Sequence, residues 1–191
     1  MNILTDCDGV LVNWLASFDN WMHNNGYQLS EFPDQHYDMH LRYNDLTKED
    51  SKKLVRIFNN SYDISNLEPF RDAVKYVTKL HEEGYTFTVI TSLSDYPRAK
   101  VMRSFNLKAL FGPAIKDLIC LDTGADKTEA LSKYKDSGLF WIEDLVKNAD
   151  IGLKLGLKPI LMEHDHNADN QDLEYPKVKS WAEIYRIIKT K

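Results

Sequence analysis

The sequence predicts an α/β fold built on a doubly wound parallel sheet. Short apolar runs of strand length alternate with amphipathic helical stretches through most of the 191 residues. This is the pattern of parallel strands joined by crossover helices. Polar side chains follow the predicted strands at four places along the chain. Because the carboxyl ends of parallel strands share one edge of a sheet, these side chains are expected to form one site.

The composition predicts a single folded domain. Apolar residues make up 43% of the chain and charged residues 28%, as in an ordinary globular protein. The net charge of −5 argues against extended nucleic-acid binding but allows small phosphorylated ligands. Cys7 and Cys120 lack a metal-binding spacing, which favours reduced thiols. No apolar run is long enough to cross a membrane and no leader pattern precedes the first strand, so we expect a cytoplasmic protein.

The chain opens with a short apolar strand that ends in two acidic residues, Asp6 and Asp8. In an extended chain, residues two apart point to the same side, and Gly9 then permits a tight turn. Two neighbouring carboxylates require a cation, and oxygen ligands with open positions suit Mg²⁺. The alternative interpretation is an acidic turn after an edge strand, without chemistry.

A helix and a cap are predicted next. The helix runs from Asn13 to Asn25, and its apolar residues form one stripe that is typical of a core-facing helix: Trp14, Phe18, Trp21 and Met22. Trp14 lies one helical turn beyond the acidic turn, so we expect its side chain to face the same cleft. The polar, aromatic-rich stretch from Tyr27 to Leu67 has no strand pattern and predicts a small helical cap.

The rest of the chain alternates helices with strands. The predicted elements are a helix from Pro69 to Gly84, a strand over 85–90 ending in Thr91 and Ser92, a helix over 97–105, a strand over 118–121, a helix after Asp126, a strand over 139–142 running into Glu143 and Asp144, a helix over 145–155, a strand over 157–162, a polar loop over 164–175 and a helix capped by Ser180. Pro159 places the fifth strand near a sheet edge.

Two lysines near the third strand are expected to differ in position. Asp126 resembles an N-cap, which puts Lys127 in the first turn of the next helix, where the helix dipole disfavours a cation. This position indicates a bound anion. Lys116 precedes the strand and is expected at the opposite, amino end of the sheet.

In this order, the strand-end residues resemble the motifs of the haloacid dehalogenase (HAD) superfamily over nearly the whole chain. These residues are Asp6, Asp8, Thr91, Ser92, Lys127, Glu143 and Asp144. The resemblance implies one HAD-like Rossmannoid domain over residues 1–191, with a core of residues 1–13 and 68–191. A helical cap of roughly residues 14–67 is inserted after the first strand and helix.

The resemblance also implies a chemistry. Asp6 is the expected nucleophile that forms an aspartyl-phosphate, and Asp8 the expected general acid and base. Mg²⁺ is expected on the Asp6 carboxylate, the Asp8 main-chain carbonyl and Asp144. Thr91 and Lys127, assisted by Ser92, are expected to hold the phosphoryl oxygens.

A closer resemblance points to the 5'(3')-deoxyribonucleotidases, which dephosphorylate nucleoside monophosphates with Mg²⁺. It is carried by residues 6–11 and the aromatic helix after them, by the short cap, and by the segments 66–70 and 126–128. Trp14, eight residues after Asp6, is implied to pack on the nucleobase, with Phe18 as a second candidate. That family usually has two aspartates where this chain has Glu143 and Asp144, so the role of Glu143 stays open. One alternative is that Glu143 contacts the metal ligands without binding the metal itself.

Three function classes are therefore compared. The first is a small-molecule phosphatase, with a nucleotidase favoured over other phosphate esters. The second acts on a nucleic-acid end or a protein, and the acidic net charge and small cap disfavour it. The third is a non-catalytic phosphate-binding protein, disfavoured because both Asp6 and Asp8 are present. A metal site at residues 163–166 is a weaker hypothesis than a polar surface loop, and a homodimer is left open.

Overall fold

The computed structural model describes residues 1–190. Its strands are β1 (Asn2–Thr5), β2 (Thr86–Thr91), β3 (Ile115–Cys120), β4 (Phe140–Glu143), β5 (Lys158–Met162) and β6 (Lys177–Val178). Its α-helices are α1 (Trp14–Asn24), α2 (Met39–Arg42), α3 (Lys48–Asn59), α4 (Ala73–Glu82), α5 (Pro97–Phe111), α6 (Thr128–Ser132), α7 (Val146–Lys154) and α8 (Trp181–Lys189).

The strands form one parallel sheet in the order β3-β2-β1-β4-β5-β6. This confirms the predicted doubly wound parallel sheet. β1 lies at its centre, with Ile3 beside Phe87 of β2 and Leu4 beside Trp141 of β4. The strand order reverses between β1 and β4, and such a switch point opens a crevice at the carboxyl ends of the strands. The acidic turn after β1 lies in that crevice.

Helices cover both faces of the sheet, so its strands are apolar on both sides. Ile3 and Val89 belong to the larger core cluster with helices α4, α5 and α8. Leu4 and Ile90, which alternate with them, pack with Leu131 of α6 on the other face. The two faces fix the pleat of the central strands and therefore the direction in which their last side chains point.

The segment between α1 and α4 is helical, as predicted. We call residues 27–67 the cap segment. An aromatic cluster joins it to α1, since Phe58 of α3 contacts both Trp14 and Phe18 edge-on. A charge network around the buried Arg42 adds a second link, in which its guanidinium pairs with Asp19 of α1 and with the exposed Asp34.

The helix predicted to open at Pro69 begins later, at Ala73. Pro69 instead forms a bridge to Val12, and the Phe70 N–H donates to the carbonyl of Leu11 at 2.8 Å. Arg71 then takes a left-handed backbone conformation with φ of 47°. The long-range pairing of residues 69 and 70 outweighs the local preference of proline for a helix start.

Two strands differ from the prediction. β6 was missed because it spans only Lys177 and Val178, too short for a periodic signal. β6 pairs only with the last two residues of β5, Leu161 and Met162. The part of β5 that contains Pro159 therefore has no strand beside it on that side and is an edge, as expected. β3 begins at Ile115, so Lys116 lies inside the strand near its amino end rather than before it.

Candidate active site

The turn after β1 carries Asp6 and Asp8 into the crevice. Asp6 continues the strand pairing, because its N–H donates to the carbonyl of Ile142 at 2.8 Å. Gly9 follows with φ of 75°, and a Cβ at this position would lie 2.6 Å from Oδ2 of Asp144. Only glycine therefore allows the turn after β1 to approach the acidic end of β4 so closely.

Lys127 lies buried between two carboxylates. Its Nζ is 2.8 Å from Oδ1 of Asp6 and 2.9 Å from Oε2 of Glu143. Lys127 is the residue that precedes α6, not a member of its first turn as predicted. The Thr128 N–H is capped by Asp126, which fixes the start of this helix. The third strand and the loop after it thus deliver a cation to the end of β1.

Asp6, Glu143 and Asp144 form the group in residues 1–190 that is able to hold a metal ion, with ligand oxygens within 4.8 Å of one another. Glu143 is engaged at both oxygens, since Lys127 contacts Oε2 while the N–H groups of Asp144 and Leu145 donate to Oε1. This leaves Asp6 and Asp144 as the carboxylates better suited to a cation, with Glu143 orienting its neighbours.

The buried charges do not balance, and this raises the carboxyl pKa values. Burial, followed by the charge of Glu143, raises the pKa of Asp6 to about 8 in spite of Lys127. Burial and the charge of Asp6 raise the pKa of Asp144 to about 7. Burial lowers the pKa of Lys127, but Asp6 and Glu143 outweigh it, so the net shift is upward and the ammonium persists. Three carboxyls facing one ammonium are stabilised by a further cation.

We expect this imbalance to make stability depend on pH and Mg²⁺ together. The folded chain binds protons on Asp6 and Asp144 more tightly than the unfolded chain, so stability falls as pH rises from the ordinary aspartate value of 3.8 towards about 8. Mg²⁺ requires ionised carboxylates, and at about 100 times its Kd it adds about 2.7 kcal/mol, or roughly 5–10 °C in Tm.

The measurement is thermal unfolding at about pH 7 and about pH 8.5, with and without Mg²⁺. The comparison stays at or above about pH 7 because burial lowers the pKa of His164 to about 4. In more acidic solution this histidine makes stability rise with pH, which is opposite to the effect of Asp6 and Asp144. The metal-free Tm should fall between the two pH values while the Mg²⁺ increment grows, and Asp144→Asn should remove that increment. A metal-free Tm that rises with pH contradicts the charge imbalance.

Asp8 points away from this cluster, towards β2 and α5. Its Oδ1 lies 2.6 Å from Nη1 of Arg103, and its Oδ2 lies 3.5 Å from the hydroxyl of Thr91, which is buried at the end of β2. The Ser92 hydroxyl donates instead to the Ala125 carbonyl at 2.8 Å. Ser92 therefore ties the loop before Lys127 to β2, and we assign it no phosphate contact.

Trp14 lies at the start of α1, half-buried beside the cap segment. Its Nε1 donates to Oδ1 of Asn59 at 2.9 Å, and Asn59 in turn donates to the Leu93 carbonyl in the loop after β2. Phe18 stacks on the indole at 4.6 Å and is itself fully buried. The full burial of Phe18 argues against the predicted contact with substrate, because the ring has no exposed surface.

The structure adds residues that sequence analysis did not assign to the site. Arg103 carries no local signal, because it is one of several basic residues on α5. The predicted polar loop after β5 folds over the acidic turn: His164 Nε2 lies 2.8 Å from the Gly9 carbonyl, and the Asn167 amide donates to the Asp144 carbonyl at 2.8 Å. The sequence held one indication of this contact: the loop follows a strand whose carboxyl end lies at the same edge of the sheet as Asp6.

Comparison with known proteins identifies the family. The sequence profile described as "Haloacid dehalogenase-like hydrolase" matches residues 3–117. The chain belongs to this HAD-like hydrolase family. The matched region holds Asp6, Asp8 and Thr91, while Lys127, Glu143 and Asp144 lie beyond it.

The alignment with a related protein covers more of the chain than the family profile does. An uncharacterised 32.4 kDa protein of Enterobacteria phage T4 is 27% identical over 188 residues, which cover 95% of this chain and 67% of that protein. None of the helices within residues 1–190 is long and apolar enough to cross a membrane.

Solved structures share the HAD fold over nearly their full length. A predicted phosphatase from Clostridium acetobutylicum has a TM-score of 0.69 at 16% identity, covering 100% of this chain and 98% of that one. A HAD-like hydrolase from Streptococcus pneumoniae has a TM-score of 0.68 at 14% identity, with 98% and 97% covered. The D,D-heptose 1,7-bisphosphate phosphatase of B. bronchiseptica, complexed with magnesium and phosphate, has a TM-score of 0.60 at 12% identity, with 99% and 98% covered.

Proposed function

We propose that this HAD-family protein is a Mg²⁺-dependent phosphatase that hydrolyses (deoxy)nucleoside monophosphates through an aspartyl-phosphate. The observation that carries the proposal is the surrounding of Asp6. One of its oxygens is held by Lys127 at 2.8 Å and by the Cys7 N–H at 2.7 Å, so the carboxylate is fixed in orientation. A fixed carboxylate beside a buried ammonium suits attack on a phosphorus whose oxygens need positive charge.

The reaction has two balanced steps. In the first, a carboxylate oxygen of Asp6 bonds to phosphorus while the bond from phosphorus to the ester oxygen breaks, and Asp8 gives its proton to the departing oxygen. In the second, water attacks the phosphorus of the aspartyl-phosphate and gives a proton to Asp8, and the bond to Asp6 breaks to release inorganic phosphate. Asp8 ends the cycle protonated, ready for the next substrate.

The donor set of this chain fits Mg²⁺. Asp6 and Asp144 supply carboxylate oxygens in a group already rich in negative charge, and hard oxygen ligands suit this ion. When bound, Mg²⁺ supplies charge neutralisation for the phosphoryl group and for the two carboxylates. The likeness to a phosphatase structure that contains magnesium and phosphate supports this assignment.

Lys127 and Thr91 would face the transferred group. Both are buried at the carboxyl edge of the sheet, on either side of Asp6 and Asp8. Phosphoryl transfer asks a protein chiefly for positioning and for charge stabilisation, which an ammonium and a hydroxyl donor supply.

The proposed cap would close the site from above. Arg56 of α3 contacts Asp122 in the loop after β3 through two nitrogens, at 3.2 and 2.8 Å. On the other side of the crevice the Tyr37 ring lies 5.3 Å from the ring of His166, between centroids. These contacts support a cap that rests on loops at the carboxyl edge and excludes water from a compact substrate.

The nucleotide preference rests on Trp14. Asn59 links the indole to the loop that follows Thr91, because it accepts from Trp14 Nε1 and donates to the Leu93 carbonyl. An aromatic face contributes about 1–3 kcal/mol when it stacks on a base. We therefore expect deoxynucleoside monophosphates, with dUMP and dTMP first, to be cleaved in preference to sugar phosphates in a panel assayed with Mg²⁺.

Trp14→Ala should raise KM for nucleotides by about 5- to 150-fold, because a stacking partner worth about 1–3 kcal/mol is lost. KM for a small generic phosphate ester should change little. Trp21→Ala is the matched control, since Trp21 lies in the same aromatic cluster two turns further along α1. If Trp14→Ala raises KM equally for both substrates, Trp14 is a core residue. The protein would then be a phosphatase of another small phosphate ester and not a nucleotidase.

A further inference from the structure

Arg103 is a buried cation that stability does not explain. It is fully buried on α5, and its Nε and Nη2 atoms have no hydrogen-bond partner among residues 1–190. Leaving buried donors unpaired costs free energy, and a buried ion pair is often no more stable than apolar residues of similar volume. An arginine kept under these conditions points to a role other than stability.

Among the described residues, Asp8 supplies the carboxylate that Arg103 contacts. The Nη1 atom lies 2.6 Å from Oδ1 of Asp8 and 2.9 Å from Sγ of Cys7. Burial raises the pKa of the Cys7 thiol, so the sulfur stays neutral and contributes no negative charge. The guanidinium is thus directed at a single carboxylate, which lies at the rim of the crevice with 27% of its side chain exposed.

The two oxygens of Asp8 consequently have different surroundings. Oδ1 faces the protein interior and is held by Arg103, whereas Oδ2 faces the Thr91 hydroxyl at 3.5 Å. A carboxylate anchored at one oxygen loses its freedom to rotate, and a proton-transfer group must be held within hydrogen-bond reach of its target.

We infer that Arg103 is a positioning residue that anchors Oδ1 of Asp8, so that Oδ2 is the oxygen that exchanges protons with the leaving group and with water. The inference rests on the proposed phosphatase function. It goes beyond that function by assigning the two Asp8 oxygens different tasks and by placing the source of their orientation on α5.

The test uses the leaving group. Protonation by Asp8 matters most for an alkyl phosphate, whose leaving oxygen is strongly basic, and least for 4-nitrophenyl phosphate, whose leaving group departs as an anion. Since kcat/KM covers the steps up to release of the alcohol, Arg103→Met should lower it at least about tenfold more for the best alkyl phosphate of the panel than for 4-nitrophenyl phosphate. Asp8→Asn should show the same bias.

A double substitution separates positioning from a general structural effect. In Arg103→Met/Asp8→Asn, loss of Arg103 should add nothing to the loss from Asp8→Asn, because the guanidinium acts only through that carboxylate. The double variant also removes both charges of the pair, so it stays informative if Arg103→Met alone does not fold. Lys100→Met, an exposed cation on the same helix, should leave kcat/KM unchanged.

Equal losses for the two leaving groups, or losses that multiply in the double variant, overturn the assignment of Arg103. Failure of the proposed function has a different signature, because the wild-type chain would then release no phosphate from any ester. Arg103→Lys keeps the positive charge but lacks the planar guanidinium. Its kcat/KM for the alkyl phosphate is therefore expected to lie between those of Arg103→Met and the wild type.

Discussion

Asp6→Asn is expected to abolish Mg²⁺-dependent phosphatase turnover, by at least about 10⁴-fold in kcat, while the protein remains folded. An amide cannot form the acyl-phosphate, so the two-step reaction loses its intermediate. Folding should survive because the carboxylate is buried among other acids, and burial raises its pKa to about 8. Neutralising such a group relieves repulsion even as it weakens the contact with Lys127.

The measurement is phosphate release under saturating Mg²⁺, together with thermal unfolding of the same preparation. Asp172→Asn provides the matched control, since Asp172 is exposed in the loop after β5, and it should leave both quantities unchanged. Turnover by Asp6→Asn at a rate comparable with the wild type would remove Asp6 from the mechanism.

Lys127→Met is expected to have the second largest effect, because it changes activity and stability together. Removing the ammonium leaves Asp6 and Glu143 without their shared partner, and breaking a buried pair in this way costs about 3–5 kcal/mol. The same change removes a cation from the transferred phosphoryl group, and kcat should fall by about 10²–10³-fold. The loss of stability should be greater at alkaline pH, where the carboxyls are ionised.

Lys116→Met is the control for this prediction. Lys116 is exposed on β3 near the amino end of the sheet, and it forms no ion pair within residues 1–190. It should therefore show wild-type kcat and Tm. If Lys116→Met damaged activity more than Lys127→Met did, the assignment of the phosphate-binding lysine would be wrong.

Sequence analysis located those parts of the site where the local sequence pattern and the topology of a parallel sheet predict the same position. Asp6 and Asp8 follow an apolar strand, and the placement of strand ends at one edge of a parallel sheet is a property of the fold rather than of any single residue. Glu143 ends β4 and Asp144 follows it, at the same edge of the sheet. Lys127 was located by its place next to a helix start, although the helix begins one residue later than predicted.

The residues that escaped sequence analysis depend on packing between distant segments. Arg103 is 95 residues from Asp8, and nothing near it in sequence distinguishes it from the other basic residues of α5. His164 approaches Gly9 only because the loop after β5 folds back over the turn after β1. The late start of α4 has the same origin, since pairing between Pro69 and Val12 is a long-range contact. Local propensity is a weak guide wherever such contacts decide the backbone.

The site of covalent phosphorylation tests the aspartyl-phosphate mechanism most directly. The enzyme is mixed with its best substrate and Mg²⁺, quenched in acid during turnover and treated with borohydride, which reduces an acyl-phosphate to an alcohol that peptide mass analysis detects. If Asp6 is the nucleophile, we expect reduction at Asp6 in the wild type and none in Asp6→Asn. Reduction at another carboxylate, or turnover of the wild type without any reduced residue, would contradict an Asp6 nucleophile.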